Sequence, residues 1–115
     1  MLRALVDAAK HGDEEAFGAL VRTVGDRCLA IAFRILRDVD LAEDAVQTAF
    51  IAAWKQLPSL RDPDRFEPWL HRMLVNACYA EARRSRRWAA NIRALPLDGV
   101  TAADDVLTVN DRDQL

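Results

Sequence analysis

The sequence has few residues that break helices and few patterns that mark strands. Only 4 glycines and 4 prolines occur among its 115 residues, and the runs between them are rich in helix-forming side chains. Alternation of apolar and polar residues, which would indicate half-buried strands, is almost absent. Together with a hydrophobic content of 51%, these features predict an all-α protein, a compact bundle of three to four helices around one core.

Cysteine and long apolar runs are also scarce. Cys28 and Cys78 stand far apart on apolar helical stretches, so we expect two reduced core residues rather than a disulfide, as is usual in the cytoplasm. No apolar stretch approaches the roughly 18 residues of a membrane span, and no basic segment followed by an apolar run is found near Met1. We therefore expect a soluble, cytoplasmic protein without membrane insertion.

The charges are unevenly distributed, although the net charge is only −2. Residues 71–93 hold six arginines against one glutamate, a net +5, whereas residues 94–115 carry a net −4. A basic block of this kind favours a polyanionic partner. We expect residues 1–93 to form the helical domain and residues 94–115, which lack periodicity, to be an acidic flexible linker or tail.

Cap residues and periodicity predict the first three helices. A short helix covers about residues 2–10, and a second follows Asp13, whose carboxylate suits a helix N-terminus. We expect Asp40 to cap a third helix that ends near Leu57, with Glu43 completing a capping box. The packed seam of the second helix is predicted to consist of Phe17, Val21, Val24, Cys28, Ile31 and Ile35.

A fourth, long helix is predicted from Phe66 to Trp88, after an ordered loop at residues 58–65 in which two prolines and two aspartates favour turns. At about 100° per residue, its core face would be Phe66, Leu70, Met73, Ala77 and Ala80. The adjoining stripe combines aromatic, amide and guanidinium groups: Trp69, Arg72, Asn76, Tyr79, Arg83 and Arg86, with Arg87 beside them. On this helix alone, a solvated face that half covers its aromatic residues explains the stripe equally well.

The third helix also carries two distinct sides. Its buried side is predicted to comprise Ala42, Val46, Ala49, Phe50, Ala53 and Leu57. About a quarter turn away lie Glu43, Asp44, Gln47, Ile51 and Trp54. Apolar groups framed by carboxylates and an amide indicate a protein-binding patch that prefers a basic partner. The alternative is that Trp54 packs under the first helix and that Ile51 is an isolated exposed residue.

These segments together resemble a known family. The order "DLAEDAVQTAFIAAW", a proline-containing loop and "FEPWLHRMLVNACYAEARRSRRW" is similar to the second-region domain of bacterial extracytoplasmic-function (ECF) sigma factors, over about residues 13–88. The resemblance implies a bundle that binds the clamp coiled coil of core RNA polymerase and that recognises and melts the promoter minus-ten element. It also implies promoter DNA as a partner and an anti-sigma factor as a possible one.

The resemblance assigns roles to the two surfaces and to the loop. The "EDAVQ" stretch would meet the polymerase through Glu43, Asp44 and Gln47, with Ile51 and Trp54 in the same patch. The loop would capture a flipped base of the non-template strand through Leu60, Arg61, Asp62 and Asp64. The last helix would melt and read the promoter through Trp69, Arg72, Asn76, Tyr79, Arg83 and Arg84. From their chemistry, the distal Arg86 and Arg87 would hold phosphates without reading sequence.

Members of the family normally carry a further helical domain that binds the minus-thirty-five element. The chain reaches "NDRDQL" about where such a domain would begin. The sequence does not distinguish a fragment from a protein that lacks this domain.

An enzyme is the less favoured interpretation. A carboxylate-bridged metal site would have to use Glu14, Glu15, Glu43, Asp44, Glu67 and His71. Such bundles present Glu-x-x-His pairs from two helices, and here only Glu67 and His71 come near that spacing. A zinc site would lack paired ligand spacing, because its candidates are Cys28, Cys78, His11 and His71. Ser59 and Ser85 have no evident base. We therefore expect no catalysis, metal or cofactor.

A generic helical nucleic-acid-binding module without a polymerase partner is the main alternative. It would explain the arginines of the last helix, but it would leave the acidic and apolar patch of the third helix without a use.

Overall fold

The computed structural model describes residues 2–93. These residues form α1 (Leu2–Lys10), α2 (Glu14–Leu36), α3 (Val39–Gln56) and α4 (Phe66–Arg93), and two short 3-10 turns, Leu57–Ser59 and Pro63–Arg65, join α3 to α4. No strand occurs in this part of the chain. The predicted all-α bundle is therefore confirmed, while the predicted tail at residues 94–115 lies outside the described residues.

The start of α2 is as predicted, and the start of α3 is not. Asp13 caps α2, since its Oδ1 accepts a hydrogen bond from the Ala16 amide at 3.1 Å. The cap of α3 is Asp38 rather than Asp40, because Asp38 Oδ1 accepts from the Leu41 amide at 3.0 Å. The cause is the tight connection: Arg37 ends α2 in the left-handed region at φ 56°. The helix can therefore restart at the next residue, and Asp40 lies inside its first turn.

The core has small residues at its centre. Ala42, Ala45, Ala49 and Ala53 of α3 are all buried, which allows neighbouring helices to approach closely. On α2 the buried line consists of Ala16, Leu20, Val24, Cys28, Ala32 and Leu36. The predicted seam residues Phe17, Val21, Ile31 and Ile35 are only half-buried. Phe17, Ile31 and Ile35 nevertheless pack against the core from beside this line.

The second half of the buried face of α4 lies about one residue further along the chain than predicted. Phe66 and Leu70 are buried as expected, but the face continues through Leu74 and Cys78, while the predicted Ala80 is exposed. Met73 and Ala77 lie half-buried at its edge, as Val46 and Phe50 do on α3. Both cysteines are free and buried, which confirms that part of the prediction.

Candidate nucleic-acid and protein interfaces

The exposed side of α4 carries a line of residues that we call the basic stripe: Arg72, Asn76, Tyr79, Arg83 and Arg86. All five are exposed, and 55% of Tyr79 is open to solvent although its ring is large. The line spans about 21 Å along the helix, which corresponds to roughly six phosphate spacings of one DNA strand. Arg87, which was predicted beside it, is exposed as well.

Trp69 differs from the rest of the predicted stripe. It is half-buried against the core, and its ring centroid lies 6.0 Å from that of the buried Phe66. Trp69 therefore packs on the core at the start of α4 and borders the stripe.

Arg84 occupies a special position because its partner is a buried carboxylate. Glu81 is only 5% exposed, and its Oε2 accepts a hydrogen bond from Arg84 Nη2 at 2.5 Å. This bond and the charge of Glu81 raise the pKa of Arg84, and the charge of Asp44 on α3 adds to the effect. A buried carboxylate requires such a partner. Part of the positive charge of Arg84 is therefore compensated within the bundle.

Sequence reasoning gave Glu81 no role beyond its charge. A signal was present, however, because Glu81 follows Leu74 and Cys78 at helical spacing on the buried face of α4. An acidic residue at a core position, three residues before an arginine, predicts a pair at the edge of the core.

The loop, residues 57–65, is held in a defined shape. The side chain of Leu60 is 6% exposed, and the Leu60 carbonyl accepts a hydrogen bond from Lys10 Nζ. Asp62 Oδ1 accepts from the Asp64 amide at 3.0 Å, and Asp64 Oδ2 pairs with Arg3 Nη1 at 2.6 Å. Arg61, Asp62 and Asp64 are exposed. Leu60 therefore anchors the loop, and the other three predicted residues form its outer surface.

On α3, an exposed set of residues forms what we call the acidic surface: Glu43, Asp44, Gln47 and Ile51. Ile51 is 52% exposed, and the three polar residues are exposed as well. Trp54, predicted in the same patch, is half-buried. Its ring centroid lies 5.0 Å from that of Phe17. It thus packs against α2 rather than lying free on the surface.

The remaining chemistry is structural. Burial raises the pKa of the Cys28 thiol, and burial together with the Glu81 charge raises that of Cys78 to about 11, so both thiols stay protonated near neutral pH. Glu67 pairs with Arg27 at 2.8 Å.

Among residues 2–93, no three His, Cys, Asp or Glu side chains are grouped so as to hold a metal ion. None of the helices in this range is long and apolar enough to cross a membrane.

Comparison with known proteins identifies the class. Residues 20–88 match the family described as sigma-70 region 2, and the chain therefore belongs to this family. The match runs from α2 to α4 and leaves α1 outside it.

Two curated relatives support the resemblance to ECF sigma factors. The ECF RNA polymerase sigma factor SigW of Bacillus subtilis is 30% identical over 86 residues, which are 75% of this chain and 46% of SigW. The ECF RNA polymerase sigma-E factor of Escherichia coli K12 is 27% identical, over 98% of this chain and 60% of the relative.

A third relative is much longer than the segment of it that matches this chain. The probable RNA polymerase sigma factor RfaY of Xanthomonas campestris pv. campestris is 35% identical over 102 residues, which are 89% of this chain and 24% of RfaY. The chain thus spans between 24 and 60% of the length of these three relatives. No solved structure matches the chain significantly.

Proposed function

We propose that this chain is the part of an ECF sigma factor that binds core RNA polymerase and that recognises and melts the promoter minus-ten element. The observation that carries the proposal is the presence of two exposed surfaces of opposite character on one bundle, the acidic surface on α3 and the basic stripe on α4. A module that only bound nucleic acid would need the second surface alone. The proposed function is not catalytic and places the chain in the bacterial cytoplasm.

The basic stripe has the chemistry that strand separation requires. Opening a duplex removes base stacking, and a base stacked on an aromatic side chain recovers about 1–3 kcal/mol. Tyr79 offers such a ring at the middle of the stripe. Arginines at both sides of it can hold the phosphates of the separated strand. Asn76, one turn before Tyr79, adds donor and acceptor groups that match base edges.

The loop fits the capture of one unpaired base. Its exposed residues Arg61, Asp62 and Asp64 supply donors and acceptors, and the non-template strand of the minus-ten element would present a flipped base to them. Leu60 contributes by anchoring the loop in the core. The basic stripe begins at Arg72, about 10 Å along α4 from the end of the loop, which is about three phosphate spacings of one strand, so one strand can reach both.

The acidic surface fits a basic helical partner, as the clamp coiled coil of the polymerase would be. Three exposed polar side chains precede the exposed Ile51 along α3, an arrangement in which apolar contact supplies affinity and charge supplies orientation. A protein that covered either surface, such as an anti-sigma factor, would block the function.

The decisive experiment measures binding of the chain to core RNA polymerase in the absence of DNA. We expect saturable binding that Asp44→Arg weakens about tenfold or more, because a like-charge contact with a basic partner costs more than about 1.4 kcal/mol. Asp7→Arg is the matched control, since Asp7 is an exposed acidic residue on α1, away from the acidic surface. Equal affinity of parent and Asp44→Arg would refute the acidic surface, and no polymerase binding at all would favour the generic nucleic-acid module.

A further inference from the structure

The helix α1 lies outside the matched residues 20–88 and has no part in the function proposed above. It nevertheless makes two polar contacts with the loop, and both go to residues that border its exposed turn. Lys10, at the C-terminal end of α1, donates to the carbonyl of Leu60. Arg3, near the N-terminal end, pairs with Asp64 at 2.6 Å. The two ends of α1 therefore contact the two ends of segment 60–64.

The contact of Lys10 fixes the first end of this segment. Lys10 is half-buried, and a bond from an ammonium group to a backbone carbonyl is charge-assisted and therefore stronger than a neutral one. The side chain of the same Leu60 is buried in the core. Leu60 is thus held through both its side chain and its backbone, and the direction in which the chain leaves it is determined.

The contact of Arg3 fixes the second end. Asp64 already donates its amide to Asp62, and the pair with Arg3 ties its side chain to α1. The two side chains are 60 and 62% exposed, so the pair adds little to the stability of the fold. Its effect is on orientation: it turns the Asp64 carboxylate towards α1.

We propose that Arg3 and Lys10 are positioning residues that set the shape of the loop and thereby its base preference within the minus-ten element. A site that reads a base must hold its groups within about 0.5 Å of the productive geometry. Arg61, Asp62 and Pro63 lie between the two anchors, and their placement depends on both. The proposal rests on the base-reading role of the loop in the proposed function.

The test uses the full chain in complex with core polymerase and single-stranded minus-ten oligonucleotides that carry each of the four bases at each position. The variants are Lys10→Met and Arg3→Gln, which remove the charged donors and keep much of the side-chain length. A well-placed base contact discriminates about 5- to 150-fold. We expect each variant to reduce the ratio of best to worst base by about fivefold or more at the position read by the loop.

Matched controls separate positioning from a general loss of structure. Lys55→Met removes the only other lysine, which like Lys10 lies in the last turn of a helix but is exposed, and should leave the base ratios unchanged. Arg3→Lys keeps the charge and should largely restore them. Binding to polymerase without DNA should be unaffected by the loss of the donors. The thermal unfolding midpoint of each variant should stay above the assay temperature, so that the chain remains folded during the measurement.

The outcomes distinguish the inference from the function on which it rests. If exchanging the loop changes the base preference while Lys10→Met and Arg3→Gln behave as Lys55→Met does, the inference is wrong and the proposed function stands. An equal loss for all bases in the two variants would also overturn it. If the parent binds polymerase but shows no base preference, both the inference and the reading role of the loop are refuted.

Discussion

The arginines of α4 should not contribute equally to DNA binding, although the sequence suggests that they do. The logarithm of the affinity for single-stranded DNA decreases linearly with the logarithm of the salt concentration. The magnitude of this slope, called the salt slope below, falls by about 0.7 for each phosphate contact that is lost. All four arginines from Arg83 to Arg87 are exposed, but part of the charge of Arg84 is compensated by Glu81 at 2.5 Å. Replacing Arg83, Arg86 and Arg87 together by Ala should reduce the magnitude of the slope by about 2. Arg84→Ala should change the slope much less than any one of these three substitutions does.

Glu81→Gln gives the complementary test, because it removes the negative charge and keeps the shape of the side chain. Arg84 then becomes available to a phosphate, and the slope should steepen by about 0.7. The measurement is the dissociation constant for a fluorescent single-stranded oligonucleotide between about 50 and 200 mM salt. Arg34→Ala, an exposed arginine of α2, is the control. A reduction of the slope by Arg84→Ala as large as that by Arg83→Ala, with no effect of Glu81→Gln, would refute this reasoning.

Two further predictions concern stability. Asp38→Ala should lower the free energy of unfolding by about 1 kcal/mol in a urea titration and Asp40→Ala by less than about 0.5 kcal/mol, because only Asp38 caps α3; equal losses would contradict this assignment. Burial raises the pKa of Cys78 from 9.0 to about 11, so the unfolded chain loses this proton first and the free energy of unfolding should fall as pH rises through that interval. The decline should be weaker in Cys78→Ala, and an identical decline would show that other groups cause it.

The helices could be predicted from the sequence because their signals are local. The cap at Asp13, the prolines around residues 58–68 and the apolar periodicity place most helix ends within about two residues of their observed bounds. The exception is the end of α4, which was predicted at Trp88 and lies at Arg93. The cap of α3 was misassigned because both Asp38 and Asp40 are acceptable caps. The geometry of the preceding turn at Arg37 decides between them, and the sequence does not display it.

The core and the loop contacts were harder to predict for a different reason. The pattern shows which residues share a face of a helix but not how far each is covered: the alanines of α3 are buried, whereas the larger Phe17 is only half-buried. The contact of Arg3 with Asp64 joins residues 61 positions apart, and no local spacing reveals such a pair. Most residues of the basic stripe and of the acidic surface could be predicted to share an exposed face, because each set lies on a single helix.

Arg84 interacts with carboxylates of both α3 and α4, the two helices that carry the oppositely charged surfaces. Its pKa is raised mainly by Glu81 on its own helix and to a smaller extent by Asp44, a member of the acidic surface on α3. The charge of Arg84 is thus compensated mainly by Glu81, with a smaller contribution from the acidic surface. An arginine that left this position for a phosphate would leave the buried Glu81 without its partner, which is unfavourable. Releasing Arg84 to a phosphate therefore has a cost that Arg83, Arg86 and Arg87 do not share, because none of these three forms an ion pair within residues 2–93. We expect these three arginines, rather than Arg84, to supply the phosphate contacts of this part of α4.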